Sequence, residues 1–347
     1  MAYTTINKST DYFNTVTYQG SGGNNFAISS LDFAPNLTWI KRMTSTQNHF
    51  LFDTVRGNNK YVNSNTSGQE YTEANSFTFD SNGFTFPTYW DALSDSSGTT
   101  AAWNWKANGS GSANTDGSIS STVSANTTAG FSISKYTGNA TNGATVGHGL
   151  GAVPEMLIGK DLSDTSGWGV WHKDLTNAGY RLDLSTNAAQ SDDTALFGGS
   201  SRTAPTSSVF TLGSGGGLNG SNANIMYAFT SITGYSKFGS YIGNNNADGT
   251  FIYTGFKPAF VIIKESSGTG DWELLDNKRL GYNPRNESLS PNLNSAEGNY
   301  NRIDILSNGF KVRDTSGNVN TSGGTYIYMA FAEAPLVGSN GVTAKAR

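Results

Sequence analysis

The chain says one phrase three times at domain-sized intervals, and this recurrence constrains its fold more than any other feature. The first occurrence runs from Tyr18-Gln19-Gly20 through Pro35 to Leu37-Thr38-Trp39-Ile40-Lys41. The second runs from Tyr136-Thr137-Gly138 through Pro154 to Met156-Leu157-Ile158-Gly159-Lys160. The third runs from Tyr241-Ile242-Gly243 through Pro258 to Phe260-Val261-Ile262-Ile263-Lys264. Tyrosine and proline stand 17, 18 and 17 positions apart, and proline and lysine 6 apart each time. The interval of about 100 residues is far above the roughly 20–50 of solenoid repeats. The reading is three tandem copies of one small domain, each long enough to bury a modest core.

Within a copy the signals are those of strands. Glycine makes up 42 of the 347 residues, aromatics 12% and charged residues only 14%. Turn formers with aromatics and few charges favour short strands joined by tight loops over helices. The run after each proline is continuously apolar, as in Ala259-Phe260-Val261-Ile262-Ile263, which suits a strand covered on both faces. The recurrent lysine then reads as a solvated charge at the end of that strand. Asp53, His172 and Asp276 each follow it by 12 positions. Asn82-Gly83 and Asn308-Gly309, flanked by alternating apolar residues, predict hairpins with type I′ turns. Copy two lacks that dipeptide and keeps only Ser208-Val209-Phe210-Thr211-Leu212.

The expected fold is all-β: three tandem antiparallel β-sandwich repeats of about 100 residues, jelly-roll or concanavalin-like. Residues 1–106 form the first repeat, 130–235 the second, and 236–347 the third with a short polar tail from Val337. Residues 107–129 are almost wholly Gly, Ser, Thr, Asn and Ala, and read as a flexible linker. The alternative is an extended arm packed on a neighbouring subunit. The short Thr230–Lys237 connection holds copies two and three in a fixed relation.

Several function classes fall away. A net charge of −4 gives no basic footprint for nucleic acid. Without cysteine there are no disulfides or thiolate metal sites. The start, Met1-Ala2-Tyr3-Thr4-Thr5, lacks the basic and apolar regions of a secretory signal. No apolar run approaches the roughly 18–20 residues that cross a bilayer, so no membrane insertion is expected. Synthesis in the cytoplasm with release by lysis is the expectation. No metalloprotease, serine-hydrolase or P-loop signature occurs. Asp53, Glu73 and Asp276 are the available carboxylates for glycoside cleavage, but their repeat positions suit turn capping. Gly213-Ser214-Gly215-Gly216-Gly217 lacks the lysine and helix of a phosphate loop. Asp161, Asp164, Asp192, Asp193 and Asp271 lie in loops without the spacing of a calcium loop. The chain is therefore not read as an enzyme, and no catalytic residue, metal or cofactor is assigned.

The tryptophans divide. Trp39, Trp103 and Trp105 sit inside apolar strands and read as core. Tyr89, Trp90, Trp168 and Trp272 border Gly- or Pro-containing loops. A loop-borne ring can stack on a sugar face while polar neighbours such as Asp91, Asn104 and Asp271 bond the hydroxyls. These four are the glycan-contact candidates.

Some phrases are specific beyond composition. They include Ala102-Trp103-Asn104-Trp105-Lys106-Ala107-Asn108-Gly109, the stretch from Asn114-Thr115-Asp116-Gly117-Ser118 to Gly130-Phe131-Ser132-Ile133, and Val146-Gly147-His148-Gly149-Leu150. Ser236-Lys237-Phe238-Gly239-Ser240-Tyr241, Tyr253-Thr254-Gly255-Phe256-Lys257-Pro258-Ala259-Phe260-Val261 and Ile327-Tyr328-Met329-Ala330-Phe331-Ala332-Glu333 are others. Over almost its whole length the chain resembles a family of virion structural proteins from marine and cyanobacterial tailed phages, often labelled tail fibre. The resemblance implies a component of a phage particle, located in the virion, with other virion proteins as partners. It carries over no catalytic or ligand residue. The expected role is a tail-fibre or surface appendage binding host cell-surface polysaccharide, as a homo-oligomer with a trimer as the candidate. Capsid decoration or tail assembly is the alternative, and a glycan depolymerase the third reading. Several weak sites engaged together would make binding multivalent.

Overall fold

A computed structural model describes residues 4–279, 283, 285–335 and 337. The fold is all-β, built from antiparallel sheets. One strand order recurs in the three large sheets: opening strand, closing strand, post-proline strand, then the strand after it. In copy one these are Phe13–Gln19, Thr99–Trp105, Leu37–Arg42 and His49–Asp53. In copy two they are Phe131–Thr137, Ala223–Phe229, Met156–Asp161 and Gly169–His172. In copy three they are Ser236–Ile242, Thr325–Pro335, Phe256–Glu265 and Glu273–Asp276. A smaller sheet lies against each, containing Phe26–Ile28 with Gly83–Phe86, Thr145–Gly147 with Val209–Thr211, and Phe251–Tyr253 with Gly309–Val312. The expected tail beyond Val337 lies outside the described residues.

The post-proline strands are buried on both faces because each large sheet has two neighbours. Ile40, Leu157, Val261 and Ile263 point into cores shared with the small sheets of their own copies. Trp39, Met156, Ile158, Phe260 and Ile262 point the other way, into one core drawn from all three copies. Alternation of side chains along a strand splits the apolar run between the two cores. Phe13, Phe260 and Phe331 meet there, with ring centroids 5.0 Å apart for Phe13 and Phe331 and 5.4 Å for Phe13 and Phe260.

The repeated Tyr-Xaa-Gly phrase has a local cause. The Tyr136 and Tyr241 hydroxyls donate to the carbonyls of Leu218 (2.9 Å) and Val319 (2.7 Å) in the short helices Gly216–Asn219 and Gly317–Asn320. A side chain at Gly138 or Gly243 would overlap the backbone oxygen of Gly220 or Thr321 at the same helix ends.

Three expectations fail. The hairpins form, but not with Asn-Gly at the turn centre. Asp80 pairs with Gly83 and Leu306 with Gly309, leaving Ser81-Asn82 and Ser307-Asn308 as the loops. The glycines are needed because the Ile28 and Ile252 carbonyl oxygens occupy the space a Cβ would fill. Residues 107–129 are not a flexible linker either. They carry strands Ser112–Asn114 and Ser121–Asn126, and the second pairs with Phe131–Thr137 at the side of the copy-two sheet. Ile119, Val123 and Ala129 are buried in this segment.

Finally, the recurrent lysines are not solvated. Lys41, Lys160 and Lys264 are fully buried, their ammonium groups donating to backbone carbonyls such as Ser45 (3.0 Å), Ser166 (2.7 Å) and Glu265. The loop following the strand curls back over the Lys41 and Lys160 ammonium groups, while Lys264 reaches the adjacent Glu265 carbonyl and the Asn187 carbonyl of copy two (3.3 Å), so backbone oxygens rather than carboxylates satisfy the donors.

Candidate binding surface

Of the four rings expected to meet glycan, two are structural. Trp168 and Trp272 are buried, and their indole N–H groups bond across copies, to the Asn63 carbonyl at 2.9 Å and the Asp183 carbonyl at 3.0 Å. Each follows its buried lysine by 8 positions, as does His49 in copy one. His49 lies under the Ser290 backbone of copy three. Asn104, expected to orient hydroxyls, is likewise buried and bonded to Thr38, Asn14 and Ala102.

These contacts belong to a closed ring. The Glu70 N–H of copy one donates to the Leu162 carbonyl of copy two at 2.9 Å. Gln190 of copy two donates to Ser266 of copy three at 2.8 Å, and Glu297 of copy three to Met43 of copy one at 2.8 Å. Each acceptor lies two positions past the buried lysine. The long polar loop of every copy is thus a main-chain clasp on the next one.

A second set of side chains closes the same three junctions. Tyr227 donates to Asp53 Oδ2 at 2.8 Å, and Trp103 to Asp276 Oδ2 at 3.0 Å. Both aspartates are buried, pair with Arg56 and Arg279, and cap the following turn through Oδ1. Burial works against the Arg56 charge, but Asp53, Tyr227 and Glu70 outweigh it and raise its pKa. Burial likewise opposes the Asp276 charge, yet Arg279 and the turn N–H groups hold it below its ordinary value. The third junction is uncharged: Met329, His172 and Leu175 stand at the corresponding positions. His172 keeps the turn-capping bond, Nδ1 accepting from Asp174 N at 3.1 Å. Asp53 and Asp276 are therefore committed to structure, in line with turn capping.

The other two candidates lie on the outside of copy one. Tyr89 is 40% exposed, its hydroxyl near Asp91 Oδ1 (3.3 Å) and Asp95 Oδ1 (3.4 Å). Trp90 is half-buried and ends an aromatic shelf. Its ring stands 5.2 Å from Tyr61, which stacks on Tyr71 at 5.3 Å and 21°. Tyr61 and Tyr71 are direct cross-strand partners, which sets their rings side by side. Phe50 and Phe52 support Trp90 edge-on from the core at 5.1 and 5.9 Å. Tyr71, at the outer end, is 41% exposed. Burial, then the Glu73 carboxylate, raises the Tyr61 pKa and keeps its hydroxyl a donor. The sequence reading missed Tyr61 and Tyr71, whose only signal was two aromatics flanking a polar loop.

The acidic loops are occupied otherwise. Asp192 and Asp193 pair with Arg202 and Arg181, and Asp161 and Asp164 accept from Ser163 and Ser166 N–H groups. Among the described residues no three His, Cys, Asp or Glu side chains form a metal-sized group, and no helix is long and apolar enough to cross a membrane.

In comparison with known families, the one described as a domain of unknown function (DUF7483) matches residues 8–335. No curated protein and no solved structure matches the chain.

Proposed function

The chain belongs to the DUF7483 family, and for this member we propose a structural, non-enzymatic role in a phage particle, as a tail-fibre or surface appendage that binds host cell-surface glycan. The particle assignment rests on the phrase-level resemblance to tailed-phage virion proteins. The binding assignment rests on one observation: the Trp90–Tyr61–Tyr71 shelf, exposed at its Tyr71 end and backed by core aromatics. Sugar C–H faces stack on such rings, and the exposed Glu73 and Asp91 are the nearby acceptors for hydroxyls. The clasped ring of copies supports this role, because a rigid scaffold holds a shallow shelf in place without ordering cost on binding.

The test pairs adsorption with stability. Tyr71→Ala is expected to weaken binding to host polysaccharide while leaving the melting temperature unchanged, since its ring is largely outside the core. Tyr89→Ala provides a second exposed ring. Unchanged adsorption in both variants, each with wild-type stability, would remove the glycan reading. The assembly role would then lead. A groove in copy three that exposes Ile242, Phe251 and Tyr253 favours it.

A further inference from the structure

The open side of copy three has the form of a site that copy two already fills. In copy two, the segment before the first strand closes the gap between the large and small sheets. Strand Ser121–Asn126 pairs antiparallel with Phe131–Thr137, from Ser121 opposite Tyr136 to Asn126 opposite Phe131. Just before it, Ile119 bridges to Val146 on the small sheet and donates its N–H to the Thr145 carbonyl at 2.9 Å. Its side chain is 6% exposed, in the core with Tyr136, Val146 and Phe210. Ser118 and Thr145 exchange two bonds of 2.9 Å beside it. One aliphatic plug in a Ser/Thr-rich strand thus seals both sheet edges.

Among the described residues, copy three has the same two edges and no such segment. Ser236–Ile242 ends its large sheet and Phe251–Tyr253 its small one. Between them runs a groove of about 560 Å³ whose lining includes Tyr241, Ile242, Phe251 and Tyr253. Ile242, Phe251 and Tyr253 are 53%, 45% and 50% exposed. At the register position of Phe251, copy one carries Ala27 and copy two Thr145, so the exposed ring is particular to copy three. The Ala332 N–H bonds to the Tyr235 carbonyl, so odd positions of the strand face its neighbour and even positions face out. Phe238 N–H meets Ser231 Oγ at 3.3 Å, and the Ile242 carbonyl accepts from Thr250 at 2.9 Å. Ser240, exposed and midway, turns both backbone groups toward the groove.

We infer that this groove accepts an extended strand of a partner protein by antiparallel edge pairing, the strand being uncharged and Ser/Thr-rich with one branched aliphatic residue that enters between the sheets. The chemistry of the occupant follows from the segment that fills the equivalent place in copy two. Main-chain bonds supply the pairing and the aliphatic plug supplies selectivity, as in other strand-addition complexes. Of the charged groups on the groove wall, Lys173 and Asp174 pair with each other at 2.9 Å, and Lys237 disfavours a basic strand. This surface is separate from the aromatic shelf of copy one, so either reading stands or falls without the other.

The probe is a labelled synthetic peptide of residues 114–126 added to the full chain. Saturable binding is expected, at least about tenfold weaker with Ser240→Pro, which removes the outward N–H from an edge position that tolerates proline. Tyr253→Lys in the protein and Ile119→Asp in the peptide should weaken it similarly. Melting curves matching wild type establish that both protein variants are folded. Absence of saturable binding at millimolar peptide overturns the proposal. So does binding that survives both protein changes, which would place the peptide elsewhere. Self-association of the chain, abolished by Ser240→Pro, would overturn the partner strand in favour of a second copy.

Discussion

The Trp103 indole N–H donates to Asp276 Oδ2 across 3.0 Å, joining residues 173 positions apart and closing copy three onto copy one. Tyr227 and Asp53 make the sister contact between copies two and one. At the remaining junction Met329 replaces the donor, His172 the aspartate and Leu175 the arginine, so all three positions lose charge and donor together.

That joint replacement predicts how the junction fails. Arg279→Leu alone takes the guanidinium away from the buried Asp276 carboxylate, and should cost about 3–5 kcal/mol. The triple change Trp103→Met, Asp276→His and Arg279→Leu installs the sister set and should recover most of that loss. Urea unfolding of the two variants measures it. A triple variant no more stable than the single one would show that the three positions do not act as a unit.

Stability should fall on the acid side through histidine. Burial lowers His172 to about 4 from the ordinary 6.5, with Asp174 pulling it partly back. Between those values the unfolded chain binds more protons, so stability is lost as pH falls through that window. His172→Gln should flatten the dependence of melting temperature on pH between about 4 and 6.5. An unchanged slope would count against a buried neutral imidazole.

The buried lysines give the same sign on the alkaline side. Burial, opposed by Glu297 at Lys41 and by Glu265 at Lys264, lowers both lysines to about 8 from 10.5. The unfolded chain then holds more protons above pH 8, so stability rises with pH from about 8 toward 10. Burial raises Tyr227 and Tyr235 well above 10, which reverses the trend beyond that point. Thermal melting from neutral to strongly alkaline pH should show this maximum, and a monotonic fall would argue that the lysines are hydrated.

Trp168→Ala and Trp272→Ala should each cost roughly 3–5 kcal/mol, the range for a large ring removed from a core. Chemical denaturation provides the measurement. A loss below about 0.5 kcal/mol, typical of a surface change, would return these rings to the list of ligand contacts.

At the hairpins, Gly83→Ala should destabilise by about 1–3 kcal/mol, the cost of overpacking, while Asn82→Ala should cost less. The Ile28 carbonyl faces the Gly83 Cα, whereas Asn82 is exposed and bonds the Ser29 carbonyl at 3.0 Å. Equal losses would favour a turn that needs both residues for their backbone angles.

What the amino-acid sequence determined by itself was local. Apolar runs after Pro35, Pro154 and Pro258 became buried strands, the recurring lysines and glycines became recurring contacts, and the tyrosines of copies two and three became one shared contact. Those properties follow from side-chain alternation and backbone sterics over a few residues. The tertiary structure alone decided what covers each side chain. Lys41 and Lys160 are buried because a later loop brings carbonyls over them, and the Lys264 ammonium meets the Asn187 carbonyl that copy two brings to it. Trp168 and Trp272 are core because another copy lies against them. Residues 107–129 look like linker by composition, yet an open sheet edge gives their backbone a partner. Tyr71 and Trp90 keep an outer face open while Tyr61, Phe50 and Phe52 cover the inner one. Burial is set by neighbours far apart in sequence, and no local pattern encodes which neighbour arrives.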